Sequence, residues 1–246
     1  MSLLKDSIKL LVAQEALKYT QSNSVIGVGS GTTIREYLRA VKNAHESHKI
    51  IGFTAVCSSI DSEILCRTYS FSVRSPDDFD DLNIYIDGAD EITIKGFALK
   101  GLGGALTREK ILRSRCKKFI VIVTSDKLVE YLGERTPIPV EILPFGYTGT
   151  IKAIKRLSNN NFQIKEIQLR EGKGKMGPVM TDNGNFIVDI YLTNLLPDDQ
   201  KMLEKINIDL KSISGVIETG IFSNPADIII IGEIKTGKVE IIQRKT

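Results

Sequence analysis

Three carboxylates and one lysine lie close together in the middle of the chain, and their chemistry is that of proton transfer. Asp87, Asp90, Lys100 and Glu109 all fall between positions 87 and 109. The sequence contains 2 histidines, both in a polar segment elsewhere, so acid–base chemistry here would depend on carboxylates and lysines. These residue types predict proton movement on a small anionic substrate.

The elements predicted around these residues would place them at one edge of a sheet. The apolar run 82–86 is typical of a buried strand, and Asp87 and Asp90 follow its end. Lys100 opens a glycine-rich turn, and the helix after the turn carries Glu109. Because ligands of open α/β sheets bind beyond the carboxyl ends of the strands, we expect the acids, the lysine and the N–H groups of the turn to meet at one cleft.

Each of these residues also has a structural interpretation. Aspartates in turns commonly accept hydrogen bonds from backbone N–H groups. Lys100 could be a solvated cation, and Glu109 could pair with Arg113 one helical turn later. We interpret Glu91 as structural. For the other residues, their clustering at the ends of predicted elements favours the functional interpretation.

A second glycine-rich segment precedes the central cluster. Residues 24–28 predict a strand, and residues 29–33 turn into a helix predicted over 34–41. A strand, a glycine-rich turn and a helix N-terminus form an anion cradle, because free N–H groups and the positive end of the helix dipole face the ligand. The segment lacks the lysine of a Walker A motif and the third glycine of a dinucleotide-binding motif. A tight turn without a ligand is the structural alternative.

Length and composition restrict the class of protein. The chain has 246 residues, and 33 basic against 30 acidic residues give a net charge of +3, which is too mild to indicate a nucleic-acid partner. The apolar runs are too short to span a membrane, and the N-terminal segment resembles an amphipathic helix rather than a signal peptide. The 3 cysteines have no CxxC spacing, which favours a reducing, cytoplasmic location. The sequence has no cluster of metal-ligating residues with the spacing of a metal site. We therefore expect neither a metal nor a cofactor.

The order of predicted elements indicates two domains. Strands alternate with helices up to the segment 136–139, which predicts a Rossmann-like, doubly wound, mainly parallel sheet. The pattern then changes to a βαββαβ module, typical of a ferredoxin-like α+β domain. Its predicted strands are 139–143, 162–169, 178–181, 185–191 and 215–222, and its predicted helices are 148–158 and 198–206.

Two further strands follow the boundary at Asn224 and Pro225 and would rejoin the first sheet. The first domain is therefore predicted to be discontinuous, over 1–133 and 224–246. The ferredoxin-like domain, over 134–223, would be inserted into it as a lid or an oligomerisation domain.

Several motifs together resemble one known family. They are GVGSGTT at 27–33, DGADEI at 87–92, KGLGGALTREK at 100–110, SDK at 125–127 and TDNGN at 181–185. In this combination they resemble the type A ribose-5-phosphate isomerases, and the resemblance covers nearly the whole chain. It implies reversible isomerisation of D-ribose 5-phosphate and D-ribulose 5-phosphate through an enediolate, without a metal, in the non-oxidative pentose phosphate pathway.

The resemblance also implies a role for each catalytic residue. Glu109 would be the base that carries the proton between C2 and C1. Asp87 and Lys100 would assist ring opening and proton movement at the sugar oxygens, and Asp90 would orient groups in the site. Backbone N–H groups in the turn, at Gly101, Gly103 and Gly104, would stabilise the developing oxyanion.

The substrate-binding residues implied by the resemblance lie in three motifs and at two separate lysines: Lys9, Ser30, Gly31, Thr32, Thr33, Asp87, Gly88, Ala89, Asp90, Lys100, Gly101, Leu102, Gly103 and Lys127. Lys9, on the first predicted helix, could equally be a solvated lysine. Leu102 departs from the family, which has glycine at this position. If the backbone there needed a positive φ, leucine would cost roughly 1–2 kcal/mol.

Two functions of other classes are alternatives to an isomerase. One is a non-catalytic sensor of sugar phosphates, which the presence of both Lys100 and Glu109 disfavours. The other is an acyl- or CoA-transferring enzyme, which would need a glutamate nucleophile in a different context and room for a long cofactor. The expected partner is a small phosphorylated pentose, and the expected assembly is a homodimer or a homotetramer.

Overall fold

A computed structural model describes residues 2–160, 162–172, 174 and 176–244. The chain divides into two compact units. Unit 1 comprises Met1–Ala89, Arg108–Leu128 and Ala226–Thr246, and unit 2 comprises Asp90–Thr107 and Val129–Pro225. Each unit encloses a hydrophobic core of its own.

Unit 1 is built on a seven-stranded sheet. The strand order is β14 (Val239–Gln243), β13 (Ile228–Gly232), β7 (Cys116–Thr124), β4 (Leu82–Asp87), β1 (Val25–Val28), β2 (Thr54–Cys57) and β3 (Ser72–Val73). All neighbouring pairs are parallel except β13 with β14. β13 is an apolar run buried along its length, and β7 is buried from Phe119 to its end, as expected for a parallel sheet. The predicted Rossmann-like sheet is confirmed.

Three helices pack within unit 1: α1 (Ser2–Leu17), α2 (Thr32–Glu46) and α3 (Ile60–Thr68). The helix predicted over 34–41 is longer at both ends in the structure. Its apolar side chains recur at helical spacing and are buried in the core of unit 1, from Ile34 through Tyr37 and Val41 to Ala44. The polar second half of α2 hides this periodicity in the sequence.

Unit 2 contains a four-stranded antiparallel sheet with two helices. In chain order the elements are β8 (Ile138–Ile142), α5 (Tyr147–Lys155), β9 (Ile164–Leu169), β10 (Phe186–Leu192), α6 (Gln200–Lys211) and β11 (Val216–Thr219). The spatial order β11-β8-β10-β9 is that of a ferredoxin-like module. The predicted α+β fold of this region is confirmed.

A small three-stranded sheet in unit 2 accounts for the differences from the predicted elements. It consists of β5 (Glu91–Ile92), β6 (Ala98–Leu99) and β12 (Ile221–Phe222). The predicted strand 215–222 is wrong as one element, because β11 and β12 belong to different sheets. The predicted domain limits placed residues 90–107 in the first domain. In the structure they group with unit 2, where Phe97 and Leu99 join its core.

The predicted strand 178–181 is also wrong. Pro178 makes only an isolated bridge to Glu171, and proline has no N–H to continue a ladder. The N–H of Thr181 instead donates to the carbonyl of Asn185 and closes a turn over Asp182–Gly184. The helix α4 (Leu106–Ser114) begins in the residues of unit 2 and ends in those of unit 1.

No helix in the described part of the chain is long and apolar enough to cross a membrane.

Candidate active site

Asp87 ends β4 with its carboxylate fully buried in unit 1. Its Oδ1 accepts the N–H of Ser30 at 3.1 Å and the N–H of Gly88 at 2.7 Å, and its Oδ2 accepts the hydroxyl of Tyr85. Hydrogen bonds to the charged form of a carboxylate offset the cost of burying it. The structure therefore holds Asp87 in one orientation at the end of the central strand.

Gly29 makes room for this carboxylate. A Cβ added at position 29 would lie 1.9 Å from Oδ1 of Asp87, far inside van der Waals contact. The N–H of Gly29 donates to the carbonyl of Ile86 at 2.9 Å, so the backbone has little freedom to move away. Glycine is thus required at position 29 because the Asp87 carboxylate lies so close to its backbone, and not only because the chain turns there.

Glu109 lies in the first turn of α4, and only 3% of its surface is exposed. The hydroxyl of Ser30 donates to its Oε1 at 2.8 Å. Ser30 therefore contacts both carboxylates, Asp87 through its N–H and Glu109 through its hydroxyl. The structure thus brings together three of the predicted residues.

Tyr85 belongs to this cluster and was not predicted. Burial, followed by the negative charges of Asp87 and Glu109, raises the pKa of Tyr85 well above its ordinary value. Its phenol consequently stays protonated and acts as a donor to Asp87. The sequence places Tyr85 within an apolar strand, where an aromatic residue is expected to belong to the hydrophobic core. The hydropathy pattern alone therefore gives no functional signal.

The segment Gly29–Thr33, which we call the first loop, leads directly into α2. Gly31 has φ 94°, and no side chain among the described residues caps the start of this helix. Thr32 is exposed and Thr33 is partly exposed in its first turn. The first N–H groups of an α-helix have no intrahelical partner, so this end of α2 has the donors and the dipole to bind an anion.

Lys100 lies in unit 2 and is buried, with 3% of its surface exposed. Its backbone N–H donates to the carbonyl of Gly220 at 3.0 Å, and its ammonium lies 5.6 Å from the centre of the Phe222 ring. The structure therefore excludes the interpretation of Lys100 as a solvated cation. Burying an ammonium is costly unless it is compensated, and lysines in such surroundings are suited to proton chemistry.

Residues Lys100–Gly104, which we call the second turn, are closed by a hydrogen bond from the N–H of Gly104 to the carbonyl of Gly101 at 3.0 Å. The two positive φ angles of the turn are at Gly101, 106°, and Gly104, 86°. Leu102 is not among the positive-φ residues of the described chain. Leucine at this position is therefore unstrained. The expectation that Gly104 offers its N–H to an oxyanion is wrong, because that N–H closes the turn.

Asp90 holds the second turn. Its Oδ2 accepts the N–H of Leu102 at 2.9 Å, and its own N–H donates to the carbonyl of Leu99 at 2.9 Å. Glu91, its neighbour, is buried and accepts three N–H groups, from Gly133, Arg135 and Thr136, each at 2.6 Å. This agrees with the structural interpretation of Glu91.

Glu141 is a fully buried carboxylate that sequence reasoning missed. It accepts hydrogen bonds from Thr107 at 2.5 Å, Thr181 at 2.8 Å, Asn183 at 3.1 Å and Asn185 at 2.8 Å. The motif TDNGN thus does more than form a hairpin turn, since its polar side chains bind the carboxylate that also holds the first turn of α4. The motif was visible in the sequence, but its buried partner was not.

The two separate lysines have different surroundings. Lys9, on α1, pairs with Asp6 at 3.2 Å. Lys127 ends a short 3₁₀ helix, Ser125–Lys127, and is partly exposed. Next to it, Asp126 pairs with Lys5 at 2.6 Å; partial burial opposes its ionisation, but hydrogen bonds from Lys5 and Thr124 outweigh this and lower the pKa of Asp126. Neither Lys9 nor Lys127 is joined to the carboxylates by a contact that the structure describes.

Across the described residues, no group of three or more histidine, cysteine or carboxylate side chains is arranged to hold a metal ion. The three cysteines are free thiols. The chemistry that these side chains can supply is proton transfer, by the buried carboxylates of unit 1 and by the buried lysine of unit 2.

Comparison with known proteins agrees with this chemistry. Residues 54–236 match the family model of ribose 5-phosphate isomerase A, or phosphoriboisomerase A. Ribose-5-phosphate isomerase A of Thermosynechococcus vestitus is 37% identical over 95% of this chain and 94% of its own length.

Solved structures give the same result. A ribose 5-phosphate isomerase from Plasmodium falciparum superposes with a TM-score of 0.90 at 32% identity, covering 98% of this chain and all of the other. A D-ribose-5-phosphate isomerase in complex with phospho-erythronic acid superposes with a TM-score of 0.87 at 35% identity, covering 96% of this chain and 98% of the other. The chain therefore belongs to the ribose 5-phosphate isomerase A family.

Proposed function

We propose that this protein interconverts D-ribose 5-phosphate and D-ribulose 5-phosphate through an enediolate, in the non-oxidative pentose phosphate pathway. The observation that carries the proposal is Glu109, a buried carboxylate held by the hydroxyl of Ser30. A C–H next to a carbonyl is a weak acid, and its removal requires a positioned base. Carboxylates are the groups best placed for this role, because the sequence has 2 histidines and both lie in a polar segment away from the motifs.

In the proposed reaction Glu109 takes the proton from C2 of the open-chain aldose, and the electron pair of that C–H bond forms the C1–C2 double bond of the enediolate. Protonation of C1 by the same carboxyl group, with transfer of the O2 hydroxyl proton to O1 as the C2=O bond forms, gives the ketose. The proton lost from one carbon is thus returned to the other, and Glu109 ends the cycle ionised. The hydrogen bond from Ser30 keeps one oxygen of the carboxylate fixed through this cycle.

The remaining roles follow the family resemblance. We assign Asp87 and Lys100 to ring opening and to proton movement between the sugar oxygens, and Asp90 to the orientation of the second turn, since it accepts the N–H of Leu102. The N–H groups of Gly101 and Gly103 are the proposed donors to the developing oxyanion. Both residues belong to the substrate-binding set, as do Gly88 and Ala89.

Phosphate binding is assigned to Gly31, Thr32 and Thr33 of the first loop, with Lys127 as a further cation. Ser30 has a different proposed role. Its N–H and hydroxyl are both directed at carboxylates, so we assign it to holding Asp87 and Glu109 rather than to contacting phosphate. Lys9, which pairs with Asp6, is proposed only as a secondary substrate contact.

The relative that was solved with phospho-erythronic acid supports this substrate class. That ligand combines a phosphate, hydroxyl groups and a planar carboxylate. The carboxylate has the shape and charge of an enediolate at C1 and C2. A family member that binds such a molecule is expected to stabilise an enediolate in the same way.

The direct test is to incubate purified protein with D-ribose 5-phosphate and to follow formation of the ketose by NMR, before and after exhaustive chelation. We expect isomerisation at an unchanged rate after chelation and without added cofactor. Binding of the sugar phosphate without turnover would favour a sensor instead. Turnover that required coenzyme A would favour a transferase, and activity that returned only with a divalent cation would contradict the metal-free mechanism.

We also propose that the protein acts in the cytoplasm as a homodimer or a homotetramer. The location rests on the 3 cysteines without a disulfide framework. Sedimentation equilibrium on the purified chain distinguishes the two assemblies from a monomer, and a mass that stays at 27.3 kDa at micromolar concentration would contradict both.

A further inference from the structure

Arg170 lies immediately after β9 and reaches the second turn. Its Nη1 donates to the carbonyl oxygen of Gly101 at 2.8 Å and to that of Leu102 at 3.0 Å. Both acceptors are main-chain atoms of the turn that contributes the proposed oxyanion donors. Arg170 belongs to none of the motifs that carry the family resemblance.

Asp189 fixes the orientation of this guanidinium. The Nε of Arg170 donates to Oδ2 of Asp189 at 2.8 Å, and its Nη2 donates to Oδ1. The two side chains are only 13% and 12% exposed. A bidentate hydrogen-bonded ion pair between a guanidinium and a carboxylate fixes the plane of the guanidinium. Its remaining donor is therefore directed at the turn.

The peptide group between Gly101 and Leu102 is held at both of its polar ends. Arg170 donates to its carbonyl, and Asp90 accepts its N–H at 2.9 Å. A planar peptide group cannot rotate while both ends are bound. Only glycine fits at position 101, where φ is 106° and an added Cβ would lie 2.8 Å from Cβ of Leu106.

The next peptide group, between Leu102 and Gly103, is held at its carbonyl by the same atom of Arg170. In a trans peptide the N–H points away from the C=O, so the N–H of Gly103 points away from Arg170. Among the residues that the structure describes, this N–H has no acceptor. It is thus a fixed donor available to a ligand.

We propose that Arg170, oriented by Asp189, is a positioning residue that sets the direction of the Gly103 N–H toward the oxyanion of the enediolate. The inference rests on the proposed isomerase function. A preorganised donor acts on charge that develops in the transition state, so Arg170 affects turnover more than binding of the phosphate group. Arg170 itself touches only the turn and Asp189 in this arrangement.

The test compares full-length Arg170→Gln, Arg170→Lys and Asp189→Asn with the wild type in the isomerisation assay. The readouts are kcat, KM, and the inhibition constants of phospho-erythronic acid and of inorganic phosphate. We expect Arg170→Gln to lower kcat about 10- to 100-fold, as loss of an oriented hydrogen bond near developing charge does. KM is expected to stay within about threefold, since binding of the phosphate does not depend on the turn.

The two inhibitors separate positioning from general damage. Phospho-erythronic acid is expected to bind more weakly in proportion to the loss of kcat, and inorganic phosphate to bind as in the wild type. Arg170→Lys keeps the positive charge but lacks the planar guanidinium that binds in bidentate fashion. It is expected to recover only part of the rate lost in Arg170→Gln. Lys211→Gln, which breaks the 2.6 Å ion pair with Glu218 in the same unit, serves as the control and should leave all four constants unchanged.

The proposal is overturned if Arg170→Gln and Asp189→Asn retain wild-type kcat, or if both inhibitors weaken alike. If Arg170→Gln does not fold, Arg170→Lys and Asp189→Asn decide by the same criteria. A wild-type protein that fails to isomerise the sugar phosphate would contradict the proposed function, which is a different result from a wild-type rate in the variants.

Discussion

The first loop and the second turn are both rich in glycine, yet the structure holds them in opposite ways. The first loop holds side chains that lie outside it: Ser30 donates its N–H to Asp87 and its hydroxyl to Glu109. In the second turn, outside side chains hold the main chain, with Asp90 on an N–H and Arg170 on two carbonyls.

This difference indicates a division of labour between the two segments. The first loop positions the two carboxylates through Ser30. The N–H groups at the N-terminal end of α2 remain available to bind an anion. The second turn contributes its own peptide N–H groups. These groups must be held in one orientation, because rotation of a peptide group would turn its N–H away from a ligand. A glycine-rich sequence alone therefore does not show whether a loop acts as a support or as a ligand.

Among glycine, threonine and leucine changes within the two segments, the largest effect is expected where the first loop supports Asp87. Gly29→Ala would place a Cβ 1.9 Å from Oδ1 of Asp87, so the carboxylate must move. Misplacement of a catalytic group by about 1 Å costs roughly 10²-fold in rate, and we expect a loss of kcat/KM of that order. Steady-state kinetics measure it.

The matched control is Gly149→Ala. Gly149 lies in α5, where an added Cβ meets no atom of the described structure within 4 Å. Alanine is favoured over glycine in helices by about 1 kcal/mol, so this variant should have wild-type kinetics and equal or higher stability. Wild-type activity in Gly29→Ala would show that Asp87 is not needed in its observed position.

A smaller effect is expected where the first loop binds phosphate. Thr33→Val removes a hydroxyl from the start of α2 and keeps the shape of the side chain. Loss of a hydrogen bond to a charged group costs about 1.5 kcal/mol, so KM should rise roughly tenfold with little change in kcat, because the phosphate contact is shared by ground and transition states. An unchanged KM would remove phosphate binding from the first loop.

The smallest effect is expected at Leu102 in the second turn. Leu102→Gly restores the residue that the family has there. Because the backbone of Leu102 does not adopt a positive φ, glycine relieves no strain and only adds freedom to the unfolded chain. We expect kcat within about threefold of the wild type, and thermal denaturation should show a loss of stability of about 0.5–1 kcal/mol. A large gain in kcat would mean that Leu102 distorts the turn.

The sequence predicts those parts of the fold that depend on local pattern. The parallel sheet of unit 1 follows from buried apolar runs that alternate with helices, and the ferredoxin-like module follows from its element order. The failures come from tertiary context. The run 215–222 has strand character throughout, but its two halves pair with different sheets. Pro178 is the first residue of the predicted strand 178–181, where the structure has only an isolated bridge to Glu171 and no ladder.

The same limit applies to the candidate site. The grouping of Ser30, Asp87 and Glu109 agrees with the motifs, because each residue follows or starts a predictable element. Arg170 and Glu141 could not be found in this way. Arg170 contacts a turn that is far away in the chain, and Glu141 accepts hydrogen bonds from two separate segments, at Thr107 and within 181–185. Such contacts carry no periodicity, and single residues of these types usually lie on a solvated surface.

The central claim is that Glu109 carries the proton between C2 and C1. The most direct measurement is exchange of the C2 proton of D-ribose 5-phosphate with deuterated solvent, followed by NMR for the wild type and for Glu109→Gln. Glutamine keeps the shape and can still accept the hydrogen bond from Ser30, but it cannot act as a base. We expect the wild type to exchange and isomerise, and the variant to lose exchange together with roughly 10²–10⁴-fold of kcat. Exchange and isomerisation by Glu109→Gln at more than about a tenth of the wild-type rate, above what loss of a general base allows, would assign the proton to another residue.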